Sequence, residues 1–264
     1  MSGRSRAGEE FARLEEILSV LRGGDGCPWD REQDETTIIN FLLEEVYETV
    51  EAVRSGRPES VCEELGDVLL EVVFLARIYE EKGAFRLWEA VRGINSKMVA
   101  RHPHVFGSER RENARDVLCA WQRQKREERK SDSLLDGLPA SLPALAAAFQ
   151  AGQRAAAVDF DWPGPAEALG KLREETEELR RALESGDREA VVHEVGDLLL
   201  AAANVSRKAG LNPELALRQA NDRFRERFSL LEKLLRERGK DFDGLAPGEL
   251  DALWEEAKSR LSGR

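Results

Sequence analysis

The chain is poor in the residues that carry most redox, zinc and stacking chemistry. It holds three cysteines in 264 residues, Cys27, Cys62 and Cys119. Their number is odd and no two stand at CxxC or Cys/His zinc spacing, which points to reduced thiols rather than a disulfide framework. Histidine is as scarce, and none of His102, His104 and His193 completes a Glu-x-x-His pair, the ligand pattern of a di-iron carboxylate bundle. Aromatics are sparse, and no segment alternates apolar with polar residues in the manner of a strand. Net positive charge is also lacking. A balance of −11 leaves no basic footprint for phosphate backbones and argues against direct nucleic-acid binding. The polar N-terminus has no apolar signal core. The long uncharged stretch at residues 137–153 contains Pro139 and Pro143 and is too short to span a bilayer. A soluble, cytoplasmic chain without membrane contact is expected.

What is present is helix. Apolar residues recur at helical spacing over residues 9–22, 36–54, 59–82 and 87–100, then 142–158, 166–184, 187–208, 213–238 and 250–261. A further helix is expected through 117–125. Gly23, Gly24 and Gly26, Gly56 with Pro58, Gly83 and Pro103 break the segments. Thr36 or Thr37 is the expected cap of the second segment. At this length about two domains are expected. The charge-to-Leu-Pro transition at residues 131–143 marks the linker between a domain at 9–130 and one at 144–264.

One pattern occurs twice. Glu44, Glu45 and Glu48 are followed by Glu64 and Asp67, and each has a counterpart 130 residues later in Glu174, Glu175, Glu178, Glu194 and Asp197. Five carboxylates at one offset indicate tandem duplication. The copies share more than acids. Trp121 and Lys125 match Trp254 and Lys258, Lys97 and Arg101 resemble Arg223 and Arg227, and Trp29 and Trp162 stand beside prolines in equivalent loops.

Carboxylates three and four apart share neighbouring helix faces and repel. Crowded against a core, they would take up protons unless a cation compensated them. Asp197 sits between Val195 and the run Leu198–Val205, with no other charge until Arg207, so its helix is expected to be largely buried, and a buried carboxylate needs a partner. Oxygen-only ligands favour a hard ion, Mg²⁺ with Mn²⁺ as a substitute, over zinc. Gly66 and Gly196, inside the acid-bearing helices, each cost about 1 kcal/mol relative to alanine, which is consistent with close helix contact, room for a ligand or common ancestry.

These residues resemble the MazG family of all-α nucleoside triphosphate pyrophosphohydrolases. The family signature, EExxE followed by ExxD on two antiparallel helices, stands here as residues 44–48 with 64–67 and again as 174–178 with 194–197. CPWDREQ at 27–33, RHPHVF at 101–106, GLPASLPAL at 137–145 and VDFDW at 158–162 are similar to family stretches. The resemblance implies an all-α tandem repeat of MazG-like helical domains, of four-helix-bundle type on dimerisation. It implies Mg²⁺-dependent cleavage between the α and β phosphates of ribo- and deoxynucleoside triphosphates. Carried over by position, Glu175, Glu178, Glu194 and Asp197, and likewise Glu45, Glu48, Glu64 and Asp67, are metal ligands. Glu174 and Glu44 are catalytic, orienting water or holding a second ion. Lys171, Arg223, Arg227, Trp254 and Lys258 match nucleotide-contacting positions. The counterpart of Lys171 is Phe41, so the second repeat is expected to be the principal active site. Two other readings remain open from the residues: a hydrolase dedicated to one nucleotide (dUTP, dCTP or phosphoribosyl-ATP), and a helical interaction protein whose acids are merely solvated.

Overall fold

The computed structural model describes residues 3–110, 113, 116–117, 120–121, 133–243 and 245–262. Among the described residues every regular element is a helix. The chain divides into two compact units, Met1–Arg110 and Arg111–Arg264. The first contains α1 (Gly3–Leu21), α2 (Pro28–Glu32), α3 (Glu35–Ser55), α4 (Pro58–Glu81), α5 (Leu87–Arg101) and α6 (Pro103–Phe106). The second contains α7 (Ala144–Ala156), α8 (Pro165–Ser185), α9 (Arg188–Lys208), α10 (Pro213–Glu237) and α11 (Pro247–Ser262). Most of the expected 117–125 helix lies outside the described residues, as do Lys125 and Cys119.

Proline and glycine set most boundaries. Proline opens α2, α4, α6, α8 and α10, where its missing N–H has no intrahelical partner in any case. That preference also explains two short helices, α2 and α6, at places the sequence reads as loop or break. Gly56 and Gly186 close α3 and α8 at φ 69° and 72°, in the left-handed region that a Cβ disfavours. The α3 cap is Asp34 rather than either threonine: its carboxylate accepts from the Thr37 N–H and hydroxyl, both at 2.9 Å. A carboxylate one position before the helix reaches the free amides that a residue inside the first turn cannot. Asp187 caps α9 in the same way, whereas Arg57 before α4 makes no side-chain cap.

In each unit the two acid-bearing helices pack as a hairpin, α3 on α4 and α8 on α9. In the first unit α1 lies on α4, and Leu18, Ile38, Val73, Phe74, Ile78 and Leu87 form the core. In the second, α7 packs on α9, and α10 contacts both. Leu231, Leu234, Leu235, Leu253 and Ala257 join α10 to α11. Two buried arginines fasten loops to these cores. Arg22 donates to the carbonyls of Asp30 at 2.5 Å and Gln33 at 3.0 Å and pairs with Glu81 at 2.8 Å. Arg154 donates to the carbonyls of Leu134, Asp136 and Gly137.

The expectation that the helix around Asp197 is largely buried does not hold within one chain. Val192, Leu199 and Leu200 of α9 are exposed, while Ala201, Ala203 and Asn204 are buried. The apolar run winds around the helix, and the faces toward α7, α8 and α10 are covered while the remaining flank is not. Neither Gly66 nor Gly196 approaches another helix, since a Cβ at either would meet nothing within 4 Å. No helix among the described residues is long and apolar enough to cross a membrane.

Gly26 is confined by backbone. A Cβ there would lie 2.2 Å from the Leu21 carbonyl oxygen and 2.4 Å from that of Val20. Gly26→Ala should therefore cost about 1–3 kcal/mol, read from the denaturant midpoint. A second test concerns Asp161, which pairs with Arg207 at 2.5 Å and Lys208 at 2.9 Å, all three side chains being less than a fifth exposed. The Arg207 guanidinium, assisted by Lys208 and opposed by burial, pulls the Asp161 carboxyl from 3.8 to about 2. A depressed carboxylate stabilises the fold above its unfolded pKa and loses that contribution as pH falls through the folded value. Asp161→Asn should cost on the order of 2 kcal/mol at neutral pH. Its difference from the parent in denaturation should keep full size above about pH 4 and shrink toward pH 2.

Candidate functional site

The second hairpin gathers its acids where α8 crosses α9. One carboxylate oxygen from each of Glu175, Glu194 and Asp197 lies within 4.8 Å of the others. Glu175 is 5% exposed, and Glu194 and Asp197 are half-buried. Lys171, one turn before Glu175, brings its ammonium 2.7 Å from Glu175 and 2.7 Å from Glu174. Glu174 first and Glu175 second hold that ammonium above the ordinary lysine range. Glu178 stands outside the trio, with Arg181 3.7 Å away. His193 Nε2 lies 3.2 Å from Asp197 on the exposed side of α9.

The first hairpin gathers Glu45, Glu64 and Asp67 in the same geometry. Its charges are less well compensated. Burial raises the pKa of Glu45, helped by Asp67, Glu48, Glu64 and Glu44, and burial raises that of Glu64, helped by Glu48, Asp67 and Glu63. Phe41 replaces the lysine, and its ring packs on the core 6.0 Å from that of Trp29. A fourth acid follows one turn after Asp67 on α4, outside the 4.8 Å trio. Glu71, 8% exposed, has an Oε2 atom without a hydrogen-bond partner. Burial first, then Glu45 and Asp67, pushes its carboxyl up to about 7. Glu44 and Glu48 lie outside the trio.

Three carboxylates within 4.8 Å of one another make a donor set that suits a hard divalent cation. The orphaned oxygen of Glu71 fits as well, because a buried carboxyl with no hydrogen bond either holds a proton or takes a counter-charge such as a cation. The residues therefore fit a metal centre in each repeat. A family model described as the MazG nucleotide pyrophosphohydrolase domain matches residues 33–106 and again residues 164–229, each span holding one trio. The chain is 38% identical over 254 residues to the nucleoside triphosphate pyrophosphohydrolase/pyrophosphatase MazG of Thermotoga maritima, covering 96% of this chain and 97% of that one. It is 37% identical over 255 residues to the nucleoside triphosphate pyrophosphohydrolase of Escherichia coli K12, with 94% and 97% coverage. An uncharacterized Bacillus subtilis protein, YabN, is 39% identical over 252 residues, which span 52% of its length.

The chain belongs to the MazG family.

Both MazG repeats thus bring three of the four expected ligands together and leave Glu178 and Glu48 at the edge. The remaining residues picked from the sequence lie on other helices. Arg223 and Arg227 are on α10, exposed and half-buried respectively. On α11, Lys258 pairs with Glu255 at 2.6 Å, and Trp254 packs against the α10–α11 core with its ring 5.5 Å from Phe224. Phe224 stacks on Phe228, and Phe228 on Phe242, so Trp254 closes a row of aromatic rings.

Two neighbours of the MazG acids escaped sequence reasoning. His193 is four residues before Asp197, a helical contact distance, so the spacing alone could have placed it there. Glu71 is four residues after Asp67 and faces Ala201 in an alignment of the repeats. Comparing the copies beyond the signature would have exposed it.

Proposed function

We propose that this chain hydrolyses nucleoside triphosphates, ribo and deoxy, to the monophosphate and pyrophosphate with Mg²⁺, and that the second repeat does most of the work. As a member of its family the chain is a nucleoside triphosphate pyrophosphohydrolase. The observation that carries the fuller reading is the Glu175–Glu194–Asp197 trio with Lys171 against it, an anionic cup with an ammonium at its rim. In this reading Glu175, Glu194 and Asp197 hold the cation, with Glu178 adjusting from the edge. A bound Mg²⁺ neutralises phosphate charge and lowers the pKa of a coordinated water. Glu174, exposed beside the cup, orients that water, and Glu44 has the corresponding place in the first repeat. Lys171, Arg223, Arg227 and Lys258 bind phosphate oxygens and stabilise the pyrophosphate as it leaves. Trp254 borders the base. The relatives' general name, nucleoside triphosphate pyrophosphohydrolase, supports a broad role in clearing or balancing nucleotide pools over a hydrolase dedicated to one substrate.

We further read the chain as two repeat domains, 9–130 and 144–264, joined by residues 131–143, and as a homodimer. Ile39, Leu43, Val46, Leu65, Leu69 and Val72 are exposed on the first hairpin, and Val192, Val195 and Leu199 form an exposed stripe on the second. Contiguous apolar faces of this kind mark interfaces, and a second copy covering them would complete a four-helix bundle around the acids.

Pyrophosphate release from the eight common ribo- and deoxynucleoside triphosphates should need Mg²⁺ and stop with EDTA. Glu194→Gln should reduce it on the order of 100-fold and Glu64→Gln by less than about tenfold. No metal-dependent release from any nucleotide would sink the proposal, and one strongly preferred substrate would favour the dedicated enzyme. Light scattering should give twice the chain mass, falling to one chain for Leu199→Glu.

A further inference from the structure

The two carboxylate clusters share a backbone and differ in charge. Glu64, Asp67 and Glu71 stand three and then four residues apart, one stripe along α4 that faces Glu45 on α3. Glu71 is 8% exposed, its Oε2 has no partner, and Glu45 and Asp67 are the charges acting on it. Packing does not require an acid there, since Ala201 fills the same place in the second repeat and is also buried. None of Glu45, Glu64, Asp67 and Glu71 has a basic partner among the described residues. Phe41 supplies none, being committed to the core beside Trp29. In the second repeat the balance is reversed. The fourth acid is missing, and the Lys171 ammonium already occupies Glu174 and Glu175 at 2.7 Å. One cluster gains an acid and the other a base.

We propose that the N-terminal cluster is a resident divalent-cation site completed by Glu71, whereas the C-terminal cluster takes its cation only together with a nucleotide. The inference rests on reading both clusters as cation sites. A cation approaching the C-terminal trio must displace the Lys171 ammonium from Glu175, and the phosphates of a nucleotide supply the anion that draws it away. At the N-terminal trio no ammonium competes, and Glu71 supplies the further oxygen that a hard ion accepts.

The test is Mn²⁺ binding to the nucleotide-free full-length protein, followed by the electron paramagnetic resonance of the free ion. One ion per chain should bind at least about tenfold more tightly than the next. Glu71→Gln, which keeps the shape of the side chain, should weaken the tight class by about tenfold or more and leave the weak class unchanged. The reciprocal changes Ala201→Glu and Lys171→Met should each tighten the weak class, and they decide the matter should Glu71→Gln fail to fold. Two equal classes, or a tight class that survives Glu71→Gln and disappears with Glu194→Gln, overturn the inference while leaving metal-dependent hydrolysis standing. Absence of any bound Mn²⁺ overturns the inference as well, and metal-dependent hydrolysis is then decided by the EDTA experiment alone.

Discussion

Mutual repulsion among carboxylates is the constraint around which the rest of the structure is arranged. Two packed helices bring three acids within 4.8 Å of one another in each repeat. The hairpin tolerates their repulsion because its other contacts are strong. Glycine ends, proline starts and aspartate caps fix α3 and α4, or α8 and α9, before any charge is neutralised. The fold therefore holds together a cluster that its electrostatics alone would disperse. Such opposition between local packing and local charge is expected where a protein binds an ion it does not always carry.

Duplication has preserved the scaffold and let the counter-charges diverge. Gly56 and Gly186 still end the first helix of each hairpin in the left-handed region. Three of the many differences between the repeats lie beside the acids: Phe41 against Lys171, Glu71 against Ala201, and Glu63 against His193. Each changes what surrounds the trio and leaves its three oxygens in place. Such changes alter how strongly a cation is held without moving the groups that hold it.

Much of the fold and the centre of the site were legible in the sequence. Helical periodicity placed the long helices, because one face of each meets a core. The repeated spacing put Glu194 and Asp197 on one face of one helix, because residues three apart share a face, and the family resemblance added Glu175 from the other helix. What escaped depends on tertiary choice. Asp34 rather than a threonine caps α3, since a cap is decided by which side chain reaches the open amides. The exposed flank of α9 was invisible because a run of apolar residues does not say which element, or which molecule, covers it. Trp254 and the two arginines lie on helices other than those bearing the acids, and spacing along the chain cannot measure distance between helices.

Arg154 has a consequence for the order in which this protein takes shape. Its guanidinium holds the carbonyls of Leu134, Asp136 and Gly137, all of which leave the ribosome before it does. The turns that introduce the second half thus lack their anchor until α7 has been synthesised. Arg22 works in the opposite direction, toward the later Asp30, Gln33 and Glu81. One repeat closes backward onto chain already made, and the other waits for chain still to come.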